Sequence, residues 1–322
     1  MRAIQVSKVG GPDVLEPVDL PRPSPKSTEA LVELKAIGVN FIDVYFREGR
    51  YPAKLPFIPG QEAAGVVVEA GSDVKNVKSG DRVAFTGAFG SYAQFQAVAE
   101  HSLVKIPNGV EFRQAAAAML QGMTAQYLSH DSYPIQRGDT VLIHAAAGGV
   151  GLLLVQMAKQ LGATVIATAG TDAKAALARE AGADHTIVYA TQDFEAETKR
   201  LTDGRGVNAV YDGVGKDTFD KDLNVLRPRG MLVLYGGSSG AVPPFDPMIL
   251  SRKGSLSLTR PTLAHFIATR EELEQRAGDV LGAIASGALT LRLKHDYPLD
   301  AAAQAHRDLE ARRTTGKVLL IP

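Results

Sequence analysis

Thr140-Val141-Leu142-Ile143-His144-Ala145-Ala146-Ala147-Gly148-Gly149-Val150-Gly151 is the stretch whose reading decides the fold. Thr140–His144 is a short apolar run of strand character. A turn of small residues follows, and then a segment, Val150–Leu161, that is apolar all round except for Gln156, Lys159 and Gln160. Those three share one face at i, i+3, i+4 spacing, so a single narrow stripe meets water and the segment reads as a buried helix. Strand, glycine turn and helix, with Ala146 in the first glycine place of G-x-G-x-x-G, are the parts of a dinucleotide site. Gly148 lets the backbone approach a pyrophosphate, with Gly149 and Val150 beside it. Gly151 lets helix and strand pack closely, and the helix N-terminus supplies positive potential. A bare glycine motif is equally a ligand-free turn; the strand before, the helix after and four further βα units behind favour the site.

Outward from this stretch, strands and helices alternate. Strands are expected at Thr164–Thr168, His185–Tyr189, Ala209–Asp212, Met231–Tyr235 and Ser255–Thr259. Helices are expected at Ala173–Ala181, Asp193–Thr202 and Thr218–Leu226. Near-continuous apolar strands between helices imply a doubly wound parallel sheet covered on both faces, a Rossmann-type α/β domain over 122–262. Residues 1–121 differ. Ala30–Ala36 alternates, Ala64–Glu69, Arg82–Phe85 and Tyr92–Val98 are short β-like runs, and Gly and Pro punctuate them. This part reads as a mostly β domain. The tail, 263–322, holds helices around Thr262–Ala285 and Asp300–Ala311 and a closing strand at Lys317–Ile321, expected to return to the first part.

Composition narrows the function. Lys+Arg and Asp+Glu each number 35 among 322 residues, so no basic excess serves a nucleic-acid or acidic membrane partner. The absence of cysteine removes disulfides, thiolate catalysis and cysteine-ligated zinc. No run approaches the roughly 20 apolar residues of a membrane span, and Met1–Gly11 lacks the apolar core of an export signal, which makes the cytoplasm the expected location.

The second strand ends Ala167-Thr168-Ala169-Gly170-Thr171, without the acidic residue that usually binds the ribose 2′-hydroxyl of NAD. Lys174 stands at the start of the next helix, where it can meet a 2′-phosphate, while Asp172 argues mildly the other way. The balance favours NADPH, with Gly170, Thr171 and Lys174 at the adenosine end.

Several strings here resemble the quinone oxidoreductases of the medium-chain dehydrogenase/reductase superfamily, the zeta-crystallin group. They are Gly10-Gly11-Pro12, Ala36-Ile37-Gly38-Val39-Asn40-Phe41-Ile42-Asp43, Gly60-Gln61-Glu62-Ala63-Ala64-Gly65, the Ala145–Gly151 loop, Gly236-Gly237-Ser238-Ser239-Gly240-Ala241 and Gly254-Ser255-Leu256 through Thr259-Arg260-Pro261. The resemblance covers the whole chain. It implies that residues 1–121, completed by 263–322, form a GroES-like catalytic domain, and that the acceptor lies in the cleft between the domains. It implies a homodimer, and pocket positions at Asn40, Asp43, Tyr45, Tyr51 and Gln61. Asn40 and Asp43 read equally as caps of a short helix Ile42–Glu48, and Tyr45 as core. On the cofactor side it implies Thr124 near the nicotinamide, Tyr189 near the adenosine, Val214, Gly236, Gly237 and Ser238 at the carboxyl edge of the sheet, and Arg312 near the phosphate, with Arg313 leaving that register open.

Zinc alcohol dehydrogenases of this superfamily place a ligand Cys where Asn40 stands and a ligand His where Gln61 stands. Amides are poor zinc ligands, so the resemblance implies a zinc-free relative that uses an already electrophilic acceptor, a quinone. Enoyl or 2-alkenal reduction on the same fold is the near alternative. A non-enzymic NADPH-binding crystallin or RNA-binding protein is the distant one, and the balanced charge speaks against RNA.

Overall fold

The computed structural model describes all residues, Met1–Pro322. The chain divides into two compact units, Met1–Met123 with Ile267–Pro322, and Thr124–Phe266. No helix is long and apolar enough to cross a membrane.

The second unit is built on a six-stranded sheet whose strands run, in spatial order, His185–Val188, Thr164–Ala169, Thr140–Ile143, Val207–Asp212, Leu226–Leu234 and Ser257–Thr259. Every neighbouring pair is parallel. Strand order reverses at Thr140–Ile143, the first strand in sequence, and ligands of open α/β sheets bind outside the carboxyl ends at such a reversal. Leu142, Ile166, Val210 and Leu232 from four adjacent strands meet Phe219 and Leu223 in one core.

The first unit holds a seven-stranded sheet. Its path is His295–Pro298, Val318–Ile321, Glu29–Val39, Glu62–Ala70, Arg82–Thr86 and Val104–Lys105, with Phe95–Ala99 also on Glu29–Val39. Only the His295–Pro298 pairing is parallel. The antiparallel register sets Val318 opposite Val39, and Ile37 opposite Ala63. The last strand of the chain therefore lies beside one of the first, and its helix Ala302–Glu310 contributes Ala302 and Ala305 to that core.

Three expected elements shift. The helix expected over Thr262–Ala285 is a short 3₁₀ turn, Leu263–His265, then a helix Arg270–Ala285. A capping box sets the boundary: Thr269 accepts from the Glu272 amide, and Glu272 Oε2 accepts from the Thr269 amide at 3.0 Å. The strand expected from Tyr92 begins at Phe95. The fifth strand begins at Leu226, ahead of Pro228 and of Arg229 at φ 62°, whereas the sequence pattern places its start at Met231. A hairpin of Arg2–Gln5 with Glu16–Asp19 has no counterpart in the sequence expectations.

Candidate active site

In the first unit, Asn40 closes the strand Glu29–Val39 and precedes the helix Phe41–Arg47. Its backbone N–H donates to Asp43 Oδ2 at 2.9 Å, so Asp43 does serve the helix start as the capping reading expects. Its side chain does something that reading missed. Asn40 Oδ1 accepts from Lys317 Nζ at 2.8 Å and from Gln121 Nε2 at 3.1 Å. Nδ2 donates to Glu62 Oε2 at 2.8 Å and weakly to Gly38 O at 3.4 Å. An ammonium only donates and a carboxylate only accepts, which fixes which end of the amide is oxygen. Lys317 also pairs with Glu62, and Glu62 Oε1 accepts from the Leu120 amide at 2.5 Å. Lys317 is 2% exposed and Glu62 fully buried. Gly38 makes the room: a Cβ there would stand 2.1 Å from Glu62 Oε2.

A second buried chain starts at Asp43. Tyr92 Oη donates to Asp43 Oδ2 at 3.1 Å and lies 2.9 Å from His306 Nε2; His306 Nδ1 lies 3.1 Å from Arg47 Nη1. A guanidinium has no acceptor, so Nδ1 of His306 is the bare nitrogen and Nε2 carries the proton toward Tyr92. Arg47 continues to Glu310 at 2.5 and 3.1 Å. Burial raises the Asp43 carboxyl to about 7 against the Asn40 and Tyr92 hydrogen bonds, while Oδ1 of Asp43 has no partner. Burial, with the Arg47 charge beside it, lowers His306 to about 3.

Aromatic rings gather next to this polar knot. Tyr45, buried, meets Tyr51 edge-on at 5.4 Å and Phe41 at 5.7 Å, and Tyr51 meets Phe46 at 5.4 Å. Tyr51 is half-buried. Gln61, beside Glu62 in sequence, is 9% exposed, and its Nε2 has no hydrogen-bond partner.

In the second unit the glycine turn is a cradle. Gly148 is the N-cap of the helix Gly149–Gln160 and offers no side chain to it. Leu152 N, 3.0 Å from Gly148 O, opens the intrahelical ladder, so the amides of Gly149, Val150 and Gly151 lie ahead of it. A Cβ on Gly151 would stand 2.4 Å from Ala145 O and 2.7 Å from Ala146 Cα. A capless helix start behind a glycine turn, at the carboxyl end of the first strand, fits a pyrophosphate.

The other expected positions border the same sheet edge. Thr171 caps the helix Asp172–Glu180 by accepting from Lys174 N at 3.3 Å, which sets the half-buried Lys174 in its first turn. Gly170 is hemmed in by Tyr189, since a Cβ there would meet Tyr189 Oη at 2.7 Å. The turns after the fourth and fifth strands close on one another: a Cβ on Gly236 would strike Gly213 O at 2.5 Å, and Ser238 N donates to Gly213 O at 3.1 Å. Asp212 holds Val214 N at 2.6 Å. Gly237 is half-buried in the same turn, and Thr124, 7% exposed, opens this unit. Arg312 belongs to the first unit, on an exposed turn at φ 58°. Its neighbour Arg313 is committed to Asp308 at 2.8 and 2.5 Å.

Residues 26–108 match the alcohol dehydrogenase GroES-like domain family, and residues 149–280 the zinc-binding dehydrogenase family. A quinone oxidoreductase of Pseudomonas aeruginosa is 46% identical, over 100% of this chain and 99% of its own. A 2-haloacrylate reductase of Burkholderia is 41% identical, over 99% and 98%. The crystal structure of Escherichia coli quinone oxidoreductase complexed with NADPH superposes with a TM-score of 0.98 at 44% identity, covering 100% of each chain. The zinc in the second family's description finds no matching donor set. The chain has no cysteine, no three His, Asp or Glu side chains converge, and Glu62 beside Asn40 is neutralised by a lysine.

Proposed function

The chain belongs to the quinone oxidoreductase family, and from that premise we propose that it transfers a hydride from NADPH to a quinone. The full-length kinship carries this reading, together with a glycine cradle that keeps the shape a dinucleotide needs. NADPH supplies the hydride when bound. The amides of Gly149 and Val150 hold its pyrophosphate, Gly148, whose own N–H donates to Ala145 O at 2.9 Å, leaves room for the close approach, and Lys174 meets the 2′-phosphate. Gly170, Thr171 and Tyr189 border the adenosine. Within the second unit, Thr124, Val214, Gly236, Gly237 and Ser238 complete the cofactor contacts.

On the acceptor side, Tyr45 and Tyr51 offer ring faces and edges to a flat molecule. Gln61 offers the unpartnered Nε2–H to its oxygen, a donor whose burial is costly until an acceptor arrives. Asn40 has both amide hydrogens and its carbonyl engaged within the protein, so its part is to hold neighbours in place. Asp43 retains a proton near neutral pH inside this knot. The reaction runs without zinc in this reading, because a quinone needs positioning more than a Lewis acid. The working form is a homodimer, as the resemblance implies, with the cytoplasm as its expected location.

An activated alkene is the second acceptor class, favoured by the kinship with a 2-haloacrylate reductase. The test is loss of NADPH absorbance with para-benzoquinone or 2-chloroacrylate on chelator-treated protein, with NADH alongside. Chelator-resistant oxidation of NADPH, faster with the quinone and slower with NADH, is the expected result. Reversed acceptor preference selects the alkene reading, and about one tightly held zinc per chain contradicts the metal-free mechanism.

A further inference from the structure

The pair Lys317 and Glu62 is sealed inside the first unit, and both residues point their polar atoms at one amide. Sheet register brings them there: Val318 stands opposite Val39, so Lys317 arrives at Asn40, and Ala63 stands opposite Ile37, so Glu62 arrives at Gly38. Removing two charges from water is expensive, and as a stabilising device a buried ion pair is often no better than apolar packing of the same size. The clearest return is in geometry. Lys317 and Glu62 fix both ends of the Asn40 amide, and the Asn40 carbonyl in turn accepts from Gln121. Asn40, Glu62 and Lys317 are buried, while Gln121 is half-buried and is the one member with appreciable accessible surface.

We propose that Lys317 is a positioning residue which, through Asn40, sets the side chain of Gln121, and that Gln121 is a further polar contact for the acceptor's oxygen. The inference rests on the reading of this site as an acceptor site. Gln121 then lies at the end of a rigid line of donors and acceptors. Its position is set by a charge that never touches the acceptor.

The test compares Gln121→Ala, the paired change Lys317→Met/Glu62→Gln, and all three together. Removing both charges avoids leaving one unpaired, and melting temperature reports whether each variant folds. Gln121→Ala is expected to raise KM for the quinone by about 10-fold, the worth of one hydrogen bond, with kcat less affected. The paired change should give a similar rise, and the triple variant no more than either, because residues on one line do not add. Lys317→Arg, which retains the donors, should restore much of the loss. Multiplying effects, or a KM left unchanged by the paired change, would overturn the proposal. A readout independent of turnover is hydrogen exchange at the Asn40 and Gln121 side-chain amides, slow in the unaltered protein and fast in the paired variant. Equal exchange in both refutes the positioning role. If the unaltered protein oxidises no NADPH with any quinone, the functional reading fails, while the exchange result still decides whether Lys317 positions Gln121.

Discussion

Replacing Asp43 by Asn should change how stability depends on pH, with a sign and size that follow from the burial of that carboxyl. Asp43 is 1% exposed, and burial raises its pKa from 3.8 to about 7. The native state therefore keeps a proton that the unfolded chain has already released. That contribution is fully present below about pH 4 and is lost as pH rises through about 7, at about 1.4 kcal/mol per pH unit, or ~4 kcal/mol across the window. His306 acts in the opposite sense. Its pKa falls from 6.5 to about 3, so its contribution is present above 6.5 and is lost as pH falls toward 3. Between about pH 4 and 6.5 the two slopes nearly cancel. Asp43→Asn preserves an acceptor for the Asn40 amide and Tyr92 Oη but removes one slope. Urea unfolding followed by circular dichroism, on both proteins at several pH values from about 4 to 8, measures the difference. The stability of the unaltered protein relative to Asp43→Asn should fall by ~4 kcal/mol from the acid end to the neutral end. A difference that stays constant with pH would mean that Asp43 is ionised throughout in the native state, and would refute the reasoning.

Gly151→Ala places a Cβ 2.4 Å from Ala145 O, against backbone that has no rotamer to yield, so it should cost ~1–3 kcal/mol in thermal unfolding and weaken NADPH binding measured by fluorescence titration. Lys174→Ala should raise the Kd for NADPH by roughly 10-fold and leave that for NADH nearly unchanged, since one charge-assisted contact to the 2′-phosphate is lost. Ala145 sits at φ 50°, where a Cβ is strained by ~1–2 kcal/mol; Ala145→Gly should therefore raise the melting temperature or leave it unchanged, despite glycine's greater unfolded-state freedom.

The cofactor half was legible because its signals are local. The Gly148–Gly151 spacing, the apolar strand before it and the narrow polar stripe of the helix behind it all lie within about two dozen residues. The structure keeps the strand, turn and helix at that place. Lys317, Glu62 and Gln121 carried no such signal. Lys317 reads as the polar first residue of a closing strand, and 255 residues separate it from Glu62. Only the antiparallel register joins them. The same holds for His306, which in sequence is one more polar residue on a helix, and for Arg47, whose guanidinium is fully buried. The break before Arg270 was local and still overlooked. Thr269 and Glu272 have capping-box spacing, but the apolar residues ahead of them extended the helical pattern through it. At Asn40 a sequence shows which groups an amide has and not which are already taken, here by Lys317, Glu62 and Gln121.

Hydride transfer is tested most directly by a single-turnover reaction of the protein with NADPH deuterated at the transferred C4 position and excess para-benzoquinone, without oxygen. The expected result is one hydroquinone formed per NADPH consumed, with deuterium slowing the step, and the same yield after exhaustive chelation. Cofactor that binds but stays reduced in the presence of the quinone, or turnover that disappears with the chelator and returns with zinc, would contradict it.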